Sequence, residues 1–107
     1  MSIDPEMLTD ETLARALRLT AHPLRLRILV QLRRHPGRCV CDLAADLNVE
    51  QPALSHHLGV LRTAGLVLPR REGPRVEYEI EHEAASALLG SLGAILGGGE
   101  RVQGARR

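Results

Sequence analysis

With 107 residues the chain has room for one ordinary domain, and 44% hydrophobic with 25% charged residues is globular composition rather than the signature of disorder. One Tyr, no Phe and no Trp exclude an aromatic interior, so the core must be built from Leu, Val, Ile and Ala, which favours close-packed helices. The formal net charge of +1 does not announce nucleic acid, but all 14 basic residues are Arg, the side chain suited to planar recognition of phosphate or guanine.

No charged-then-apolar leader opens the chain, and no apolar run approaches the roughly 20 residues that span a bilayer. A soluble, cytoplasmic protein with no membrane partner is expected. A domain this small buries a modest share of its surface alone, and dimerisation is a natural way to bury more.

In chain order, Asp4-Pro5 and Thr9 both carry helix-start chemistry. Leu8, Leu13 and Leu17, with Ala14, then make an apolar stripe to about Thr20. His22-Pro23 opens a second helix in which Leu24, Ile28, Leu29 and Leu32 recur at helical spacing, and Pro36-Gly37 ends it in a turn. A short third helix is predicted from about Cys41 to Leu47, with Asn48 as its C-terminal cap. A fourth runs from Gln51 to about Ala64 and stops at Gly65. Its Leu54, Leu58 and Leu61 share one face, and Ser55, His56, Gly59 and Arg62 form a light polar face opposite.

The period then falls to two. Leu66 to Arg71 reads as a strand, and Val76, Tyr78 and Ile80 alternate with Glu77, Glu79 and Glu81 in a second, the glutamates as a solvated face. Glu72-Gly73-Pro74-Arg75 is the turn between them, which gives a β-hairpin with a basic tip. A last helix from about His82 carries Ala84, Ala87, Leu88, Leu92 and Ile95, and Gly97-Gly98-Gly99 breaks it. Residues 1–99 thus form one mainly α domain with a β-hairpin wing, and 100–107 a loose basic tail. The order α-α-α-α-β-β-α, with a short link between the third and fourth helices, is that of a winged helix-turn-helix.

These residues resemble the ArsR/SmtB repressors. His22-Pro23-Leu24-Arg25-Leu26-Arg27-Ile28-Leu29 is similar to their second-helix signature, and Gln51-Pro52-Ala53-Leu54-Ser55-His56-His57-Leu58 to their recognition helix. Leu61-Arg62-Thr63-Ala64-Gly65-Leu66-Val67 and Arg70-Arg71-Glu72-Gly73 resemble their helix exit and wing. The resemblance implies a homodimer joined through the first and last helices. It implies double-stranded DNA as partner, with an inverted-repeat operator read by one fourth helix per half-site. DNA binding is expected to need no cofactor.

The chemistry of such a site is legible in the side chains. Gln51 can read an adenine edge with two hydrogen bonds, and Ser55 and His56 can bond to bases or phosphates. Arg70, Arg71 and Arg75 on the hairpin are placed for flanking phosphates or the minor groove. His57 lies near the Leu54/Leu58 face, so it is either a DNA contact or a half-buried packing residue. Arg62 either reaches DNA or holds its helix to the body of the domain. Glu50 departs from the family, which has a serine-like cap at that place; its carboxylate suits the helix dipole and repels phosphate.

Cys39-Val40-Cys41-Asp42-Leu43 matches the metalloid-binding box of the arsenic-sensing members, which makes Cys39 and Cys41 the candidate ligands for As(III) or Sb(III) as inducer. Vicinal thiolates are soft donors that favour such ions. A third cysteine common in that box is Ala44 here. If the segment were helical, residues two apart would point to opposite sides, and closing both sulfurs on one ion would distort the helix's first turn. Thiol oxidation or persulfidation, and plain packing of a small apolar side chain, are the other readings of the pair. A zinc site on the last helix is not expected, because His82 is followed by Ile95 and Gly98 near where further ligands would fall.

An enzyme is not expected. Ser55 and His56 are neighbours on one helix, where side chains diverge by about 100° and cannot form a nucleophile–base pair. The remaining alternative is a winged helix that serves only as a protein-interaction module.

Overall fold

The computed structural model describes residues 9–97. Its elements are α1 (Asp10–Thr20), α2 (Pro23–Arg34), β1 (Arg38–Cys39), α3 (Val40–Leu47), α4 (Gln51–Thr63), β2 (Val67–Glu72), β3 (Arg75–Ile80) and α5 (His82–Ile95). The predicted helices and hairpin are all present, and the fold is a winged helix-turn-helix. The helix start at Asp4-Pro5 and the tail 100–107 lie outside the described residues.

Local chemistry sets the helix ends. The Thr9 hydroxyl caps α1 by accepting from the Thr12 N–H at 3.1 Å. His22 caps α2 through Nδ1, which accepts from the Leu24 N–H at 3.1 Å, and Pro23 fills the first helical position. Asn48 ends α3 in the left-handed region at φ 56°, a conformation that Asn tolerates better than most residues. Gly65 at φ 82° lets the chain leave α4, and the Leu66 N–H returns to the Leu61 carbonyl at 3.0 Å.

The core is aliphatic, as the composition requires. Ile28 and Leu32 of α2, Leu43 of α3, Leu54, Leu58 and Leu61 of α4, and Val67 of β2 are all less than 2% exposed. Each contributes about 1.5–3 kcal/mol by leaving water. Ala16, Ala44, Ala64 and Ala84 fill the narrow gaps between helices. On α1 the buried positions are Leu13 and Ala16, whereas Ala14, placed in the predicted stripe, faces solvent. The Leu13–Ala16 spacing is the i, i+3 step that keeps two side chains on one helical face.

The sheet has a third strand that was not expected. Gly37, at φ 85°, turns the chain after α2 and donates its N–H to the Tyr78 carbonyl at 3.1 Å. Arg38 then pairs with Tyr78 and Cys39 with Glu77, so the antiparallel order is β1-β3-β2. A Cβ on Gly37 would stand 3.1 Å from Glu77 Oε1, a second reason for glycine there. The hairpin turn is also tighter than predicted, because Glu72 pairs with Arg75 and only Gly73-Pro74 remain in the loop. Gly73 supplies the positive φ, 64°, that a two-residue hairpin needs.

An apolar groove of about 250 Å³ runs between α2 and α5, with Leu29, Val30, Leu66, Ile80 and Leu88 in its walls. Leu89 in its wall, Ile95 at the end of α5 and the following Leu96 are 71, 62 and 74% exposed. No helix among the described residues is long and apolar enough to cross a membrane.

Candidate nucleic-acid interface and thiol pair

α3 and α4 meet through Asn48, Val49 and Glu50. The left-handed Asn48 reverses the chain, and the Val49 N–H closes on the Ala44 carbonyl at 3.1 Å. Leu43 beneath α3 and Leu54 beneath α4 are both fully buried, which fixes one helix against the other. Glu50 occupies the N-cap of α4 and makes no side-chain capping bond.

The opposite face of α4 presents Gln51, Ser55, His56, Gly59 and Arg62, all exposed, with no hydrophobic side chain among them. Its polar groups are open to solvent along the helix, the condition for entering a groove of DNA. His57 is set differently. It is half-buried, its Nδ1 accepts from Arg25 Nε at 3.1 Å, and its ring lies 4.5 Å from His22 and 5.1 Å from His56. Burial, with the neighbouring charges of His22 and Arg25, holds its imidazole below the ordinary histidine value. His57 therefore ties α4 to α2 instead of sharing the open face.

The wing arginines are not alike. Arg70 is ion-paired with Glu79 on the adjacent strand. Arg75 is held by Asp42 at 2.8 Å and by Glu77 at 3.1 Å. Arg71 is exposed and, among the described residues, reaches only the Gly73 carbonyl, at 3.5 Å. Glu77 and Glu79, expected as a solvated row, are half-buried beneath these guanidinium groups.

Cys39 and Cys41 stand together at the start of α3. The helix begins at Val40, earlier than predicted, and Cys39 is its N-cap in extended conformation, φ −86° and ψ 171°. Because one cysteine is still extended and the other already helical, the sulfurs lie 2.7 Å apart. No distortion of the first turn is needed to bring them together, contrary to the expectation for a wholly helical segment. Cys39 is buried and accepts the Asp42 N–H at 3.4 Å, whereas Cys41 is exposed. Burial, reinforced by the contact with Cys41, pushes the Cys39 thiol up.

The ligand atoms of Cys39, Cys41 and Asp42 all lie within 4.8 Å of one another. A hydrogen bond from Cys39 and the Arg75 and Arg38 guanidinium groups hold the Asp42 carboxyl below the usual carboxylate range. Arg38 also grips Asp46 at 2.8 Å, so one face of α3 is clasped by β1 and β3. Two adjacent sulfurs with an oxygen nearby suit a thiophilic ion.

The family described as bacterial regulatory protein, arsR family, matches residues 22–68, which run from the cap of α2 into β2. The biofilm growth-associated repressor of Agrobacterium fabrum is 40% identical over 79 residues, covering 74% of this chain and 67% of that protein. The arsenical resistance operon repressor of Escherichia coli is 40% identical over 63 residues, covering 59% of this chain and 54% of that one. Among solved structures, the homodimeric winged helix-turn-helix DNA-binding domain of a possible ArsR-family regulator from Mycobacterium bovis superposes with a TM-score of 0.67 at 25% identity. It covers 94% of this chain and 98% of that one. The wing, the two-helix motif with its open polar face and these relatives agree: the chain belongs to the ArsR family of bacterial transcriptional regulators.

Proposed function

We propose that this protein is a homodimeric repressor that leaves an inverted-repeat operator when As(III) or Sb(III) binds Cys39 and Cys41. The observation that carries the sensing half is the 2.7 Å approach of the two sulfurs at the cap of α3, the helix that supports α4. An ion at that cap acts on the element that orients the DNA-reading face.

Gln51, Ser55, His56 and Arg62 read or grip the duplex from α4, and Arg71 leads the wing's phosphate contacts. Arg70 and Arg75 contribute less directly while their carboxylates hold them, and His57 positions α4. The exposed apolar residues of α5, with the groove beside them, are the surface for a second copy, and the M. bovis domain named above is homodimeric.

The test is binding to a duplex from the protein's own promoter, with and without arsenite and antimonite, using parent, Cys39→Ser and Cys41→Ser. Release in the parent and retention in both variants is expected. Retention by the parent with its thiols verified reduced refutes metalloid sensing. The same sulfur proximity favours oxidation to an intramolecular disulfide as a second reading. Release by peroxide that a dithiol reverses, with no response to arsenite, selects it.

A further inference from the structure

We propose that Asp42 and Arg75 are the positioning pair through which the thiol site governs the wing, an inference that rests on the reading of Cys39 and Cys41 as the inducer's ligands. Arg75 Nη2 donates to Asp42 Oδ2 at 2.8 Å, and its Nε donates to Glu77 Oε2 at 3.1 Å. Asp42 follows Cys41 on the first turn of α3. Glu77 is the residue that Cys39 faces across the β1–β3 ladder. One guanidinium at the turn end of the wing therefore bridges the two segments that carry the two sulfurs.

The two halves of the site differ in freedom. Cys39 is 5% exposed and its backbone is laddered to β3. Cys41 is exposed on a helical turn. The Asp42 carboxylate lies within 4.8 Å of both sulfurs, so a thiophilic ion held by the two thiolates would compete with Arg75 for it. Cys41, the exposed one, is free to adjust to the ion, and it sits on the turn that also carries Asp42. Drawn to the ion, the Asp42 carboxylate leaves Arg75. The wing then loses its tie to α3, and Arg75 keeps only Glu77 on its own strand.

The step balances without redox chemistry. Arsenous acid and two thiols give a dithiolate that retains one hydroxide on arsenic. Two As–S bonds form, two As–O bonds break, and the thiol protons depart on the leaving hydroxides as two waters. The Arg75 and Asp42 side chains are 46 and 30% exposed, and ion pairs of that kind add little to stability. The pair can therefore be broken without unfolding the domain, which is what a relay requires.

The experiment is amide hydrogen exchange of the whole protein across residues 75–80, with and without arsenite, in parent, Arg75→Gln and Asp42→Asn, with free thiols counted in each sample. Arsenite is expected to raise exchange in the parent's β3 severalfold. Arg75→Gln and Asp42→Asn should show that raised exchange at rest and no further rise, although arsenite still consumes both thiols. Unchanged exchange in the parent with both thiols occupied, or resting exchange in Arg75→Gln equal to the parent's, overturns the relay. If arsenite leaves the parent's thiols free, the metalloid reading alone fails, and the resting comparison of Arg75→Gln with the parent still decides the relay.

Discussion

Arg25 donates through Nε to His57 Nδ1 at 3.1 Å and so fastens the middle of α4 to α2. A protonated Nδ1 cannot accept that bond, and the charge would lie beside His22 and Arg25. The folded protein therefore disfavours imidazolium at His57, whose value lies below the unfolded 6.5. Its contribution to stability is present above the unfolded value and is lost as pH falls through the lower folded one. The urea midpoint should drop between about pH 7 and pH 5, and His57→Gln should flatten that drop. An identical slope in the variant would remove His57 from the account.

Glu50 sits at the N-cap of α4 without a capping bond and carries a negative charge at the end of the DNA-facing helix. Serine caps through its hydroxyl and removes the repulsion from phosphate. Glu50→Ser should tighten duplex binding at low salt and stabilise the fold by about 0.5 kcal/mol, since the new cap outweighs the lost helix-dipole term. Fluorescence anisotropy and thermal melting measure the two effects, and weaker binding by Glu50→Ser would count against α4 as the reading helix.

Arg70 and Arg71 are adjacent, but one is neutralised by Glu79 and the other is open. Arg71→Ala should weaken binding to any duplex and lower the slope of log affinity against log salt by about 1. Arg70→Ala should change that slope much less. Equal slopes for the two variants would mean that the Arg70–Glu79 pair opens on DNA.

Cys39 both caps α3 and supplies a sulfur. Serine keeps the cap and is the better capping residue. Cys39→Ser keeps the cap but buries a hydroxyl in place of sulfur, so it should melt only about 1 kcal/mol below the parent while losing arsenite binding, which parallel melting and thiol-occupancy measurements would separate. A collapse in stability would instead assign Cys39 to packing.

Much of this architecture was legible because its signals are local. His22-Pro23 fixed the start of α2, the Gln51 start and Gly65 stop framed α4, and alternation exposed the hairpin. What escaped depends on partners distant in sequence. A two-residue strand, Arg38–Cys39, has no period to detect and exists only because β3 lies beside it. The Arg75–Asp42 pair joins residues 33 apart. The Arg70–Glu79 pair did leave a trace: once the strands are aligned, Arg70 faces Glu77, with Glu79 diagonal to it. The sulfur geometry turned on one residue, since starting α3 at Val40 instead of Cys41 makes Cys39 the N-cap, with its sulfur folded back over the first turn.

Tyr78 is the chain's one residue of the Phe, Tyr and Trp class, and it lies in the central strand between Arg38 and Pro69. All intrinsic ultraviolet emission of the protein therefore originates inside the wing's sheet. Effector titrations can be followed optically in the unlabelled molecule, with the signal reporting on that sheet and on no other part of the domain.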